Sequence, residues 1–263
     1  MTRPWGTRVL ACLFLLVAAT ETAVADPVRF TRQYVNLPQG QIHVLRSGPL
    51  TRQVWQTPVV CLAPNPASGN YFRLFMAELG RDRIMIAPDY PGLGQSDAVQ
   101  EQLDIGGYAD LMAETLEGLG YGAEGKGVVD VCGYHTGAYV AQELAVRRPD
   151  LVRRVILLGI PFYTGEEREA MYRENVVERP LTESFEQLQD SWDFAVTYRE
   201  DGVRLDRAYA NFLDAARARP VRHQAYHAAF SYPGEVQAPR VTQPVLILNT
   251  HGSLAEQTRA LAP

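Results

Sequence analysis

The residues best placed to do chemistry gather around one pentapeptide, Gly133-Tyr134-His135-Thr136-Gly137. It joins an apolar run to a helical one, and its glycines fit a sharp strand-to-helix turn in which the flanking chain passes close. The tip, His135, then projects away from the strand, with Tyr134 beside it as a candidate pocket residue. An imidazole with an ordinary pKa of about 6.5 is largely neutral at pH 7. His135 can therefore serve as a general base or, through a ring nitrogen, as a nucleophile; it can equally fill a site whose chemistry has been lost.

His251, in Asn249-Thr250-His251-Gly252-Ser253, falls at the tip of the last strand, either solvated or facing the same pocket. His223 and His227 lie four apart on a helix, a metal-binding spacing that lacks a third ligand. The reading therefore includes no metal and no cofactor. Asp89 and Asp97 are read as stabilisers of their own loop.

Positioning these groups falls to alternating strands and helices. Strands are predicted over 28–35 and 41–46, joined by the turn-forming Leu37-Pro38-Gln39-Gly40, and over 57–62, 83–87, 127–132, 152–158 and 244–248. Helices are predicted over 71–79, ending at Gly80, and over 108–119 and 136–147. That order builds a mostly parallel sheet with helices on both faces. From 161 to 232 the alternation stops and the chain becomes helical, charged and aromatic, with Trp192, Tyr198, Tyr209, Phe212 and Tyr226.

The opening residues read as a targeting segment. Arg3 and Arg8 precede an apolar run over 9–19, shorter than a membrane span of about 20 residues, and Ala23-Val24-Ala25 supplies a small-x-small cleavage site. Residues 1–25 are thus expected to be a signal peptide, with a periplasmic or secreted protein released near Ala25 and no membrane anchor; Cys12 falls too early in the run for lipidation. Removing Arg3, Arg8 and Glu21 takes the net charge from −5 to −6, which excludes a basic nucleic-acid footprint. The remaining cysteines, Cys61 and Cys132, sit in strand-like runs and are expected as buried free thiols, because neighbouring parallel strands rarely meet disulfide geometry.

The motifs together resemble a known family. Asp89-Tyr90-Pro91-Gly92-Leu93-Gly94-Gln95-Ser96-Asp97 is similar to the D-x-P-G-x-G-x-S-D loop after the fourth strand of α/β hydrolases. The pentapeptide resembles their G-x-S-x-G nucleophile elbow with histidine in place of serine, and Ala63-Pro64-Asn65-Pro66 sits where their oxyanion loop lies. The resemblance implies the backbone N–H groups of Asn65 and Thr136 as oxyanion donors, since neither proline has an N–H to give, and such a pair binds a carbonyl oxygen or an anion. The resemblance runs from about 41 to 260. It is looser to a subgroup whose elbow reads G-x-H-T-G, continued here by Ala138 and Glu143-Leu144-Ala145.

The resemblance implies an α/β fold, a mostly parallel sheet flanked by helices. It also implies a core over 26–160 and 233–263 and a helical cap over 161–232, inserted after the sixth strand. The implied activity is hydrolysis of a small, largely apolar ester-like, lactone-like or related substrate. The family's serine, acid and relay histidine are not found, and the eighth strand that would carry the histidine is expected to be missing. A non-catalytic small-molecule-binding pseudo-hydrolase and a truncated gene product remain the alternatives. Oligomeric state is not legible in these residues.

Overall fold

The computed structural model of the protein describes residues 27–49, 53–249 and 252–261. The expected leader, Cys12 and His251 lie outside the described residues.

Seven strands form one sheet: β1 (Val28–Leu37), β2 (Gly40–Pro49), β3 (Val59–Leu62), β4 (Met85–Pro88), β5 (Val129–Tyr134), β6 (Val152–Leu158) and β7 (Val245–Leu248). Their spatial order is β1-β2-β4-β3-β5-β6-β7. β1 and β2 form an antiparallel hairpin and β2 meets β4 antiparallel; from β4 through β7 every pair is parallel. This is the mostly parallel sheet that the alternation of runs called for. β3 and β4 are buried at every position, as strands covered on both faces must be.

Helices α1 (Arg73–Leu79), α2 (Ile105–Gly118) and α3 (Thr136–Arg147) cover the sheet. A 3-10 turn, Gly69–Phe72, leads into α1, so the helical run starts two residues before the expected 71. α2 starts three residues before the expected 108, because the Asp104 side chain caps it by accepting the Gly107 N–H at 2.7 Å. Its buried stripe, Tyr108, Leu111, Met112, Thr115 and Leu116, recurs at helical spacing and packs into the larger core with α3. The smaller core lies on the opposite face, where Phe72 and Met76 pack on Leu45, Val59, Met85 and the two cysteines. Cys61 and Cys132 are register partners on β3 and β5, and both are free, buried thiols.

Between β6 and β7 the chain is helical: α4 (Gly165–Asn175), α5 (Glu186–Trp192), a π-helical turn over Asp193–Thr197, α6 (Leu205–Ala218), α7 (Arg222–Ser231) and α8 (Gly234–Gln237). This insert lies against the loops at the carboxyl ends of the strands. Asp214 accepts both the N–H and the hydroxyl of Ser68, at 3.0 and 2.7 Å. Arg207 donates to the carbonyls of Asn70 and Tyr71, and Arg217 to that of Gly94. A short helix, α9 (Ala255–Leu261), follows β7 and anchors through Thr258, whose hydroxyl accepts the Ile160 N–H at 2.9 Å.

Candidate active site

The elbow has the form its glycines imply. β5 ends at Tyr134, α3 begins at Thr136, and His135 between them has φ 51° and ψ −120°, the one positive φ outside glycine among the described residues. A Cβ on residue 133 would lie 2.1 Å from the Gly137 carbonyl oxygen, and one on residue 137 would lie 2.0 Å from that of Leu62. The helix therefore starts hard against both β5 and β3. Holding a histidine at positive φ costs about 1–3 kcal/mol, and such strain gathers where a side chain must be aimed.

What surrounds the imidazole decides its chemistry. Its ring lies against Tyr134, with centroids 4.0 Å apart, and Tyr134 stacks in turn on Tyr71 at 5.6 Å. Gly159, just past β6, leaves room for the pair: a Cβ there would be 2.7 Å from the Tyr134 ring and 2.9 Å from that of His135. Burial pushes the His135 pKa down to about 4, so the ring is neutral at pH 7. Among the described residues no carboxylate pairs with it and neither ring nitrogen has a hydrogen-bond partner, so no serine-type relay is assembled among them.

The two predicted oxyanion donors lie on adjacent strands' loops. β3 and β5 pair in register from Val59 with Asp130 to Leu62 with Gly133, which brings the Asn65 loop beside the elbow. Asn65 and Thr136 are both buried, and neither backbone N–H donates to an acceptor among the described residues. Asn65 is fixed by its side chain, whose Nδ2 donates to the Arg222 carbonyl of the insert at 2.9 Å, while its Oδ1 is buried without a donor.

A cleft of about 380 Å³ opens beside the elbow, lined mainly by apolar side chains including Phe72, Phe75 and Leu158. Tyr134 lines it; His135, one residue on, does not. His223 and His227 do not converge on a common ligand. His227 Nδ1 is bonded to the Tyr172 hydroxyl at 2.8 Å, and His223 Nε2 lies 3.9 Å from Glu178. Among the described residues no group of His, Cys, Asp and Glu side chains is arranged to hold a metal.

Asp89 and Asp97 hold their loop. Asp89 Oδ1 accepts the Gly69 N–H at 2.7 Å and Oδ2 the Gln95 N–H at 2.8 Å, while Asp97 accepts the Gln41 N–H at 2.9 Å. Gly94, at φ 55°, admits this packing, since a Cβ there would fall 2.1 Å from Asp89. Sequence reasoning missed His43, whose Nδ1 meets Asp89 Oδ2 at 2.8 Å in the interior. The pair resembles half of a catalytic relay, yet it serves the loop: the His43 N–H donates to Ser96 Oγ, which donates to the Asp89 carbonyl. A histidine inside the apolar stretch Ile42–Leu45 of β2 was the available signal. The Ser68–Asp214 contact was also missed; it joins residues 146 apart, and no local pattern marks it.

Known proteins share this fold. The sequence pattern described as "Alpha/beta hydrolase family" matches residues 59–262. A 2-hydroxymuconate semialdehyde hydrolase of Pseudomonas sp. (strain CF600) is 29% identical over 168 residues, 62% of this chain and 53% of that protein. An (E)-2-((N-methylformamido)methylene)succinate hydrolase of Acinetobacter baylyi is 32% identical over 88 residues, 33% of this chain and 32% of that protein. The chain thus spans about half or less of the length of these curated relatives. Among solved structures, a hydrolase from Pseudomonas aeruginosa aligns with a TM-score of 0.66 at 15% identity, covering 88% of this chain and 86% of that one. The N-acyl homoserine lactonase AidH aligns at 0.62 with 20% identity, covering 83% and 77%. The matched pattern takes in the elbow, the Asp89 loop and the strands from β3 to β7, and on that extent the chain belongs to the alpha/beta hydrolase family.

Proposed function

We propose that this protein is a hydrolase of the G-x-H-T-G subgroup, acting on a small, largely apolar ester-like, lactone-like or related acyl substrate, with His135 as the reacting group. One observation carries the reading: among the described residues the elbow holds a neutral imidazole with both ring nitrogens unpartnered, beside two buried backbone N–H groups, of Thr136 and Asn65, that also lack acceptors. A ring nitrogen attacks the acyl carbonyl, and the developing oxyanion is held by the two N–H groups. Collapse expels the alcohol, which takes the proton lost from the other ring nitrogen, and leaves an acyl-imidazole. Water then cleaves that bond, giving the acid and returning a proton to the ring. No third residue is needed for the balance, which suits a ring with no carboxylate partner among the described residues. The insert over 161–232 acts as a cap domain, and the chain is exported after cleavage near Ala25.

A second reading, a small-molecule-binding pseudo-hydrolase, is favoured by the same low pKa, because a ring that binds protons weakly is also a weak base and a weak nucleophile. Turnover of activated esters and lactones by wild type, His135→Ala and His135→Ser, each checked for folding by circular dichroism, separates the two. The hydrolase reading expects wild-type kcat/KM to be flat from about pH 5.5 to 8 and to fall as pH drops through about 4, where the imidazole protonates. His135→Ala loses most of that activity, and His135→Ser does not regain it, since a hydroxyl without a neighbouring base is a poor nucleophile at neutral pH. A folded wild type with no turnover across a broad panel establishes the binding protein instead, and the intact mass of the exported chain checks the cleavage site.

A further inference from the structure

A cationic cluster lies where the insert meets the loop after β3, and the hydrolytic chemistry at His135 makes no use of it. Arg219, at the end of α6, is only 8% exposed. Arg222 opens α7, whose first turn carries no acidic residue, and Arg179 lies in the exposed stretch between α4 and α5. Arg222 is close enough to feel both of the others. The Arg222 pKa is lowered first by burial and then by Arg179, with a smaller push from Arg219.

None of the three is ion-paired among the described residues. Glu178, the nearest carboxylate in sequence to Arg179, is highly exposed and lies 3.9 Å from His223 Nε2. Arg219 makes one hydrogen bond, from its terminal nitrogen to the Gln187 carbonyl at 3.3 Å. Its Nε, the Gln187 side-chain Nε2 and the Nδ1 of His223 are all buried with no partner.

Buried donors without acceptors and like charges without a counter-charge are each unfavourable. Here they coincide, and an oxyanion at this junction relieves both at once. Guanidinium forks match the geometry of a carboxylate or a phosphate. We propose that Arg219 and Arg222, with Arg179 and Gln187, form a binding site for the carboxylate or phosphate group of a small anionic molecule. The Arg222 carbonyl accepts the side-chain N–H of Asn65, so the site is tied directly to one of the two oxyanion donors. The proposal stands on burial and charge and holds whether or not His135 turns substrate over.

Calorimetric titration of the wild-type protein with succinate and, separately, with inorganic phosphate tests it, at low ionic strength with sodium chloride as the control for screening. Saturable binding of either anion, weakened about tenfold or more in Arg222→Gln and again in Arg219→Gln, is the expected result. The preferred anion then identifies the ligand group. A second measurement guards against a variant that fails to fold. In anion-free buffer Arg222→Gln should melt at or above the wild-type temperature, because it removes an unpaired charge, whereas a purely structural arginine lowers it. No saturable binding of either anion, or binding equal in Arg222→Gln and wild type, overturns the proposal.

Discussion

His135 is held against two costs, a backbone angle suited to glycine and a ring moved out of water. The second makes stability depend on pH. Its pKa is about 4 in the folded protein against 6.5 when exposed, so between those values the unfolded chain binds more protons. Stability is complete above about pH 6.5 and is lost as pH falls through this window, by on the order of 3 kcal/mol in all. His135→Asn, a residue that tolerates positive φ, removes this group from the titration. Urea midpoints for the variant and wild type should therefore diverge in the variant's favour as pH is lowered from 6.5 to 4. A constant difference across that range contradicts the burial of a neutral imidazole.

At the scale of elements, the elbow is positioned by close backbone packing, whereas the insert is positioned by a few polar contacts. Asp214 is the most instructive of these. Burial raises its pKa, while the two hydrogen bonds from Ser68 work in the other direction. Ser68→Ala removes the shorter bond from a buried carboxylate and should cost about 1–3 kcal/mol. Asp214→Asn keeps an acceptor oxygen and discards the buried charge, so at pH 7 it should be neutral or stabilising. Thermal melts of the two variants check this, and a loss in Asp214→Asn as large as that in Ser68→Ala would show that the charge, as well as the hydrogen bonds, joins insert to core. The elements themselves were legible beforehand: apolar runs alternating with helical periodicity gave the strand order in the chain and the break at 161. The α2 boundary moved because the Asp104 cap, not the apolar stripe, fixes where a helix begins.

Across the whole molecule, what the sequence could not disclose is what depends on distance between remote residues. The Gly133–Gly137 motif marks the elbow, but nothing local says that no described carboxylate meets the ring at its tip, that His43 meets Asp89, or that Arg222 feels both Arg179 and Arg219. Each of those facts is a product of the sheet order, which crosses β3 and β4, and of the path of the insert. The register that sets Cys61 beside Cys132 has a consequence of another kind. Cys61 is sealed beneath α1 and the sheet, whereas Cys132 lines the cleft beside the elbow; burial raises both thiols, Cys132 to about 12. A group with that pKa is thiolate only about once in 10⁵ molecules at pH 7. Chemical labelling of Cys61 must therefore wait for the sheet to open, and the chain contains its own clock for that event. With dithiodipyridine in excess, Cys61 should react with a rate constant insensitive to reagent concentration once labelling outruns reclosing and equal to the unfolding rate measured by fluorescence, while Cys132, at the wall of the cleft, reacts no more slowly. A Cys61 rate that keeps rising with reagent concentration above the unfolding rate would mean that β3 is uncovered before the rest of the fold opens.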